Sequence, residues 1–99
     1  MTKHIVAWNF IDTLSDAQKL EHAQIITAEL QALPALIDGL TELKVYTNLH
    51  DGSSRDLMLV STHADKAALD TYQSHPAHLR AAGFVRAVTC DRICLDFEE

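Results

Sequence analysis

The stretch Lys3-His4-Ile5-Val6-Ala7-Trp8-Asn9-Phe10 decides the fold. Read at a period of two it is a β-strand, with His4, Val6, Trp8 and Phe10 on one face and Ile5, Ala7 and Asn9 on the other. Both faces carry apolar side chains, so the strand must be covered on both sides. One layer of helices hides only one of them. A second copy of the chain is the expected cover for the other.

Working outward, Ser15-Asp16-Ala17-Gln18 reads as a capping box that opens a helix. Leu20, Ala23, Ile26, Leu30 and Leu33 then recur at helical spacing, and Pro34 ends the helix because the residue before a proline is pushed out of the α region. Asp38-Gly39 supplies a turn into a second strand over residues 40–49, packed through Leu43, Val45 and Tyr46, and His50-Asp51-Gly52-Ser53-Ser54 is a polar loop. A third strand follows over residues 56–63, with Leu57–Val60 as a fully buried centre. Asp65 caps a second helix to Ser74, and Pro76 takes the first position of a third. That helix contains Gly83, which either admits a neighbouring backbone or costs about 1 kcal/mol to no purpose. Residues 88–97 close the chain as a fourth strand, with Ile93, Leu95 and Phe97 alternating against Cys90, Arg92 and Cys94. The order β-α-β-β-α-α-β predicts an α+β, ferredoxin-like subunit. Its four-stranded antiparallel sheet carries helices on one face, and residues 1–99 form one domain.

Composition narrows the function. The 99 residues are 47% hydrophobic and 22% charged, a folded rather than a disordered balance. Eight Lys and Arg against 14 Asp and Glu give a net charge of −6, which excludes a protein built to grip nucleic acid. The longest apolar runs, such as Ile5-Val6-Ala7-Trp8, are too short for a membrane span, and no signal-peptide core precedes the first strand, so a cytoplasmic protein is expected. Cys90 and Cys94 sit about 13 Å apart along a strand, too far for a disulfide, and read as reduced core residues. Only Gly39, Gly52 and Gly83 are present, so no phosphate loop exists and no cofactor is expected.

Charge is uneven. Residues 71–90 hold Arg80 and Arg86 but no Asp or Glu, so this window carries +2 against −8 for the rest. It includes Tyr72-Gln73-Ser74-His75-Pro76-Ala77-His78, two of whose residues are among the six histidines of the chain. Tyr72 lies in the last turn of one helix and His78 in the first turn of the next, where the helix dipole disfavours imidazolium. His78 is the candidate general base and Tyr72 the group that orients a substrate oxygen, in a site for an anionic or enolisable ligand. The bland alternative is that His75 caps the third helix, His78 is exposed and Tyr72 packs in the core. His22, His50 and His63 read as solvated or edge residues. A metal on His75, His78 and His4 lacks any signature spacing, and none is expected. The carbonyls near Leu30 and Leu33 offer the weak cation site of any helix end.

Lys3–Trp8, Leu33-Pro34 with Gly39-Leu40, Asp56–Ser61, Tyr72–His78 and Asp91–Phe97 together resemble the stress-responsive A/B barrel (Dabb) family over residues 3–97. The resemblance implies a ferredoxin-like subunit that dimerises through its open sheet face into an eight-stranded α+β barrel. It also implies a pocket, expected here to be lined by His4, Val6, Trp8, His75 and Arg92. A plant branch of the family contains cofactor-independent polyketide cyclases whose acid/base Tyr and His match Tyr72 and His78, and whose strand-one His matches His4. Leu57 stands where that branch carries a further pocket His, and Arg92 and Cys94 where its last strand is apolar. The expected protein is therefore a homodimer with a pocket for a partly apolar carbonyl or phenolic ligand and no assigned reaction. The alternatives are a cofactor-free lyase or cyclase, with a monooxygenase behind it by fold analogy, and a dimerisation module without a site.

Overall fold

The computed structural model describes residues 1–99, running β1 (Thr2–Phe10), α1 (Asp16–Gln31), a 3-10 turn (Leu33–Ala35), β2 (Leu40–Tyr46), β3 (Leu57–His63), α2 (Lys66–Ser74), α3 (Pro76–Val88) and β4 (Thr89–Glu98). The sheet order is β2-β3-β1-β4 and every pairing is antiparallel. This is the α+β, ferredoxin-like arrangement expected from the element order. None of its helices is long and apolar enough to cross a membrane.

The helix starts follow from local chemistry. Ser15 Oγ accepts from the Gln18 N–H at 3.1 Å while the Gln18 side chain accepts from the Ser15 N–H at 2.9 Å, closing the capping box. Asp65 caps α2 through the Ala68 N–H at 2.8 Å. The first helix is shorter than its apolar repeat: α1 stops at Gln31, and Leu33 belongs to the 3-10 turn that Pro34 enforces. The Leu33 carbonyl accepts from the N–H groups of Leu36 and Ile37 at 2.9 and 3.0 Å, so the oxygen weighed as part of a weak cation site is already satisfied by the chain. Leu20 points to solvent; the buried stripe of α1 is Ala23, Ile26 and Leu30.

Paired residues of an antiparallel ladder share a face, so register assigns the two sides of the sheet. Thr2, His4, Val6 and Trp8 of β1 face the helices with Leu57, Leu59, Ser61 and His63 of β3, all buried. The opposite face carries Ile5 and Ala7 flanked by Met58 and Val60 on one side and Ile93 and Leu95 on the other. The centre of β3 is thus not buried throughout, because Met58 and Val60 are half-buried on this open side. Tyr46, paired with Met58, also lies there and not in the core. Ile93, Leu95 and Phe97 are 43%, 63% and 44% exposed, so the second apolar face is present and uncovered by the chain itself.

β4 corrects the simple alternation. Ile93 pairs with Ala7 but Cys90 with Asn9, leaving Asp91 and Arg92 opposite Trp8 alone. Asp91 takes φ 55°, a left-handed conformation suited to such a bulge. Cys90 therefore shares the open face with Ile93, whereas Arg92, Cys94 and Asp96 turn to the helix side. The two thiols are on opposite faces and neither is core: Cys90 is exposed and Cys94 half-buried.

Candidate functional site

A cavity of about 280 Å³ opens between the inner face of the sheet and the helices. Val6, Trp8 and Leu59 form its apolar floor, with Leu30 of α1 and Val85 of α3 as walls. Five polar side chains reach it: His4, Tyr72, His78, Arg86 and Arg92.

The junction between α2 and α3 sets the centre of this group. His75 adopts φ −66° and ψ 136°, an extended residue between two helices, because Pro76 forbids the α region before it. Its Nδ1 accepts from the Ala77 N–H at 3.0 Å, so His75 is the cap of α3 and does not line the cavity where it was expected. The break folds α3 back on α2 and brings the rings of Tyr72 and His78 to 4.3 Å between centroids.

His78 is half-buried, and its Nδ1 lies 3.2 Å from the Gln73 carbonyl. A carbonyl only accepts, so Nδ1 carries the proton and Nε2 keeps the lone pair. Burial pulls the His78 pKa below its usual 6.5. The Gln73 bond opposes this, while His4, Arg86 and Arg92 add to the lowering. His78 is accordingly a neutral imidazole near pH 7. Tyr72 is 1% exposed, and burial pushes its pKa well above the usual 10, with Arg92 acting the other way. Its hydroxyl makes no hydrogen bond within the chain and stays protonated, a donor free for a ligand oxygen.

His4 stands on the other side of Tyr72, with ring centroids 6.1 Å apart. Its Nδ1 bonds the Asp96 carboxylate, so that nitrogen carries the proton and orients the ring. Val6, Trp8 and Arg92 line the cavity, whereas Leu57 is buried in the core away from it.

Two polar residues at or beside the cavity were not among the expected ones. His63 is fully buried behind Tyr72, 4.9 Å between ring centroids, with Nε2 2.8 Å from Ser61 Oγ. Its pKa is pushed down to about 4, chiefly by burial and then by His4. The signal was available, since Leu57, Leu59, Ser61 and His63 alternate along one face of β3. Arg86 is the second. It follows His78 and Ala82 at helical intervals of four, and all three line the cavity.

For a metal, the structure assembles a different set from the one weighed in the sequence. His4 Nδ1, the Cys94 thiol and the Asp96 carboxylate lie within 4.8 Å of one another, a donor mixture that transition metals accept. His75 is committed to its cap and contributes nothing to it.

A family model described as the stress responsive A/B barrel domain matches residues 2–99. No curated protein sequence matches the chain. Among solved structures, a dimeric protein of unknown function and ferredoxin-like fold from Bacteroides fragilis is 26% identical and superposes with a TM-score of 0.91, covering 99% of this chain and 95% of that one. A Dabb family protein with a ferredoxin-like fold from Mesorhizobium loti is 18% identical at a TM-score of 0.72, over 99% and 95% of the two chains. A hydroxynitrile lyase from Passiflora edulis is 19% identical at 0.79, over 97% and 90%. At these identities the last two establish likeness of fold only.

Proposed function

The chain belongs to the stress responsive A/B barrel domain family, and on that footing we propose that two copies pair through their open sheet faces and each binds a partly apolar carbonyl or phenolic small molecule in its cavity. The observation that carries this reading is the meeting of an unpartnered Tyr72 hydroxyl and a neutral His78 imidazole, rings 4.3 Å apart, at a largely apolar space of about 280 Å³. The uncovered apolar face and the dimeric relative from Bacteroides fragilis support the pairing. Two free thiols suit a reducing, cytoplasmic setting.

The protonation states favour a second reading at the same site, a cofactor-free lyase or cyclase. His78 Nε2 takes a proton from the carbon beside a ligand carbonyl. The released electron pair moves onto the carbonyl oxygen, and the Tyr72 O–H donates to that oxygen as its charge grows. The fold neighbour from Passiflora edulis, a hydroxynitrile lyase, fits lyase chemistry on this architecture.

One pair of measurements tests both. 4-Hydroxyacetophenone is expected to raise the melting temperature of the protein, and His78→Ala with Tyr72→Phe to abolish the shift. The α-protons of the same ketone should exchange with D2O faster than in buffer, and His78→Gln should cost about a hundredfold or more in that rate, the usual contribution of a general base. No shift with any carbonyl or phenolic compound refutes the binding site. A shift without accelerated exchange refutes the catalytic reading alone.

A further inference from the structure

The chain is acidic, yet its cavity is not. None of its 14 Asp and Glu residues lines the space around Tyr72 and His78, whereas two arginines do. The contrast with the rest of the surface is sharp. A second cleft is bordered by Asp70, Asp96 and Glu98, and a third by Asp12, Asp56 and Asp91. Carboxylates therefore crowd these two clefts and are kept out of the cavity.

Neither arginine is paired with a carboxylate. The ion pairs of the chain are Lys3 with Glu99, His4 with Asp96 and Lys66 with Asp70, and Arg92 bonds the Cys94 thiol, opposing the rise in its pKa that burial and Asp96 cause. By contrast, Arg55 spends its guanidinium on the carbonyls of Asp91 and Ser54, at 2.7 and 3.0 Å. Two elements supply the unpaired cations independently. Arg86 comes from α3, two turns beyond His78, and Arg92 comes from the bulge of β4. Both are exposed at the rim, while the floor beneath them is Val6, Trp8 and Leu59. An apolar floor with guanidiniums at the mouth describes its ligand as an apolar body ending in an anion.

We propose that the ligand of this cavity is a small organic carboxylate, its aromatic or aliphatic part seated on Val6, Trp8 and Leu59 and its carboxylate held at the mouth by Arg86 and Arg92. This rests on the cavity being the ligand site, and adds the charge and orientation of what enters it. A guanidinium presents paired N–H donors that match the two oxygens of a carboxylate, and such charge-assisted bonds exceed their neutral counterparts. The geometry also fixes direction. With its anionic end at the rim, the ligand turns the carbon chain inward past His78 and Tyr72. A phenol or ketone on that chain then reaches the groups that polarise oxygen. Arg86 and Arg92 act here as specificity residues, since a neutral ligand of the same shape brings no charge to balance theirs.

4-Hydroxybenzoate and its near-isosteric neutral analogue 4-hydroxybenzamide test this by isothermal titration, with 4-hydroxyacetophenone as a second neutral probe. The full-length wild-type protein should bind the acid at least tenfold more tightly than the amide. Arg92→Gln and Arg86→Gln should each shrink that ratio and together bring it near one, through loss of affinity for the acid. The far-UV spectrum and melting temperature show that the variants fold, and Arg92→Lys should keep part of the preference. Equal binding of acid and amide by the wild type overturns the carboxylate assignment and leaves the ligand site standing. So does a preference that survives in the double variant. Failure of all three probes to bind removes the site itself, and this inference with it.

Discussion

His63 carries no exposed surface and sits against Tyr72, and burial first, then the neighbouring His4, holds its imidazole at a pKa of about 4 against 6.5 in the unfolded chain. Asp96 opposes the shift and His78 adds to it. Because the folded pKa is depressed, the unfolded chain binds more protons between these values, so stability is full above pH 6.5 and falls as pH drops toward 4. The loss by pH 4 is roughly 3 kcal/mol at most for a shift of this size. His78 is displaced in the same direction and adds to the slope. Urea unfolding at pH 7 and pH 4.5 should show the decline, and His63→Asn should remove the larger part of it whatever its effect at neutral pH. An unchanged slope in that variant would assign the acid sensitivity elsewhere. If His78 is the general base proposed above, its lowered pKa predicts that ketone proton exchange holds a plateau at neutral pH and falls on the acid side, below 6.5.

At the scale of elements, the joints are tighter than the rods. Gly39 enters β2 at φ +86°, and a methyl group built there would lie 2.8 Å from the Ala68 Cβ of α2. Gly39→Ala is expected to cost about 1–3 kcal/mol from the left-handed backbone, before the clash with α2 is added. It should lower the melting temperature by several degrees in differential scanning calorimetry. Gly83→Ala, with nothing within 4 Å of the added methyl, should be neutral or stabilising by up to about 1 kcal/mol. This also answers why Gly83 was ambiguous in the sequence: a helical glycine looks the same whether or not a neighbour presses on it. What the sequence shows well is local. Ser15 with Gln18, Asp65 with Ala68 and His75 before Pro76 each mark a helix start within four residues, and α1, α2 and α3 begin where they say. What it hides depends on distant partners. His63 looks like a loop residue until β1 pairs beside it and Tyr72 packs over it. The faces of β4 cannot be read by alternation, because Asp91 inserts a step that only the pairing with β1 reveals. Tyr72 and His78 were within reach because a proline joint brings together residues six apart.

For the whole molecule, the two faces of one sheet differ in kind, with the cavity on the helix side and the uncovered Ile5, Val60, Ile93 and Leu95 on the other. Light scattering should give twice the chain mass of 11.0 kDa. Leu95→Lys places a charge on the most exposed large apolar residue of the open side, and should yield an 11.0 kDa particle with an unaltered far-UV spectrum. A wild-type monomer would refute the pairing. β4 belongs to both faces, and its bulge is where they meet. Asp91 is the surplus residue there. Without it, Arg92 alone would stand opposite Trp8 while Cys90 and Ile93 kept their partners Asn9 and Ala7. The loss of one codon would thus straighten the strand and re-aim Arg92, yet leave every residue of the open face in place. Strand length, as much as side-chain identity, is then a heritable variable that can alter the mouth of the cavity while the open face of the sheet stays as it is.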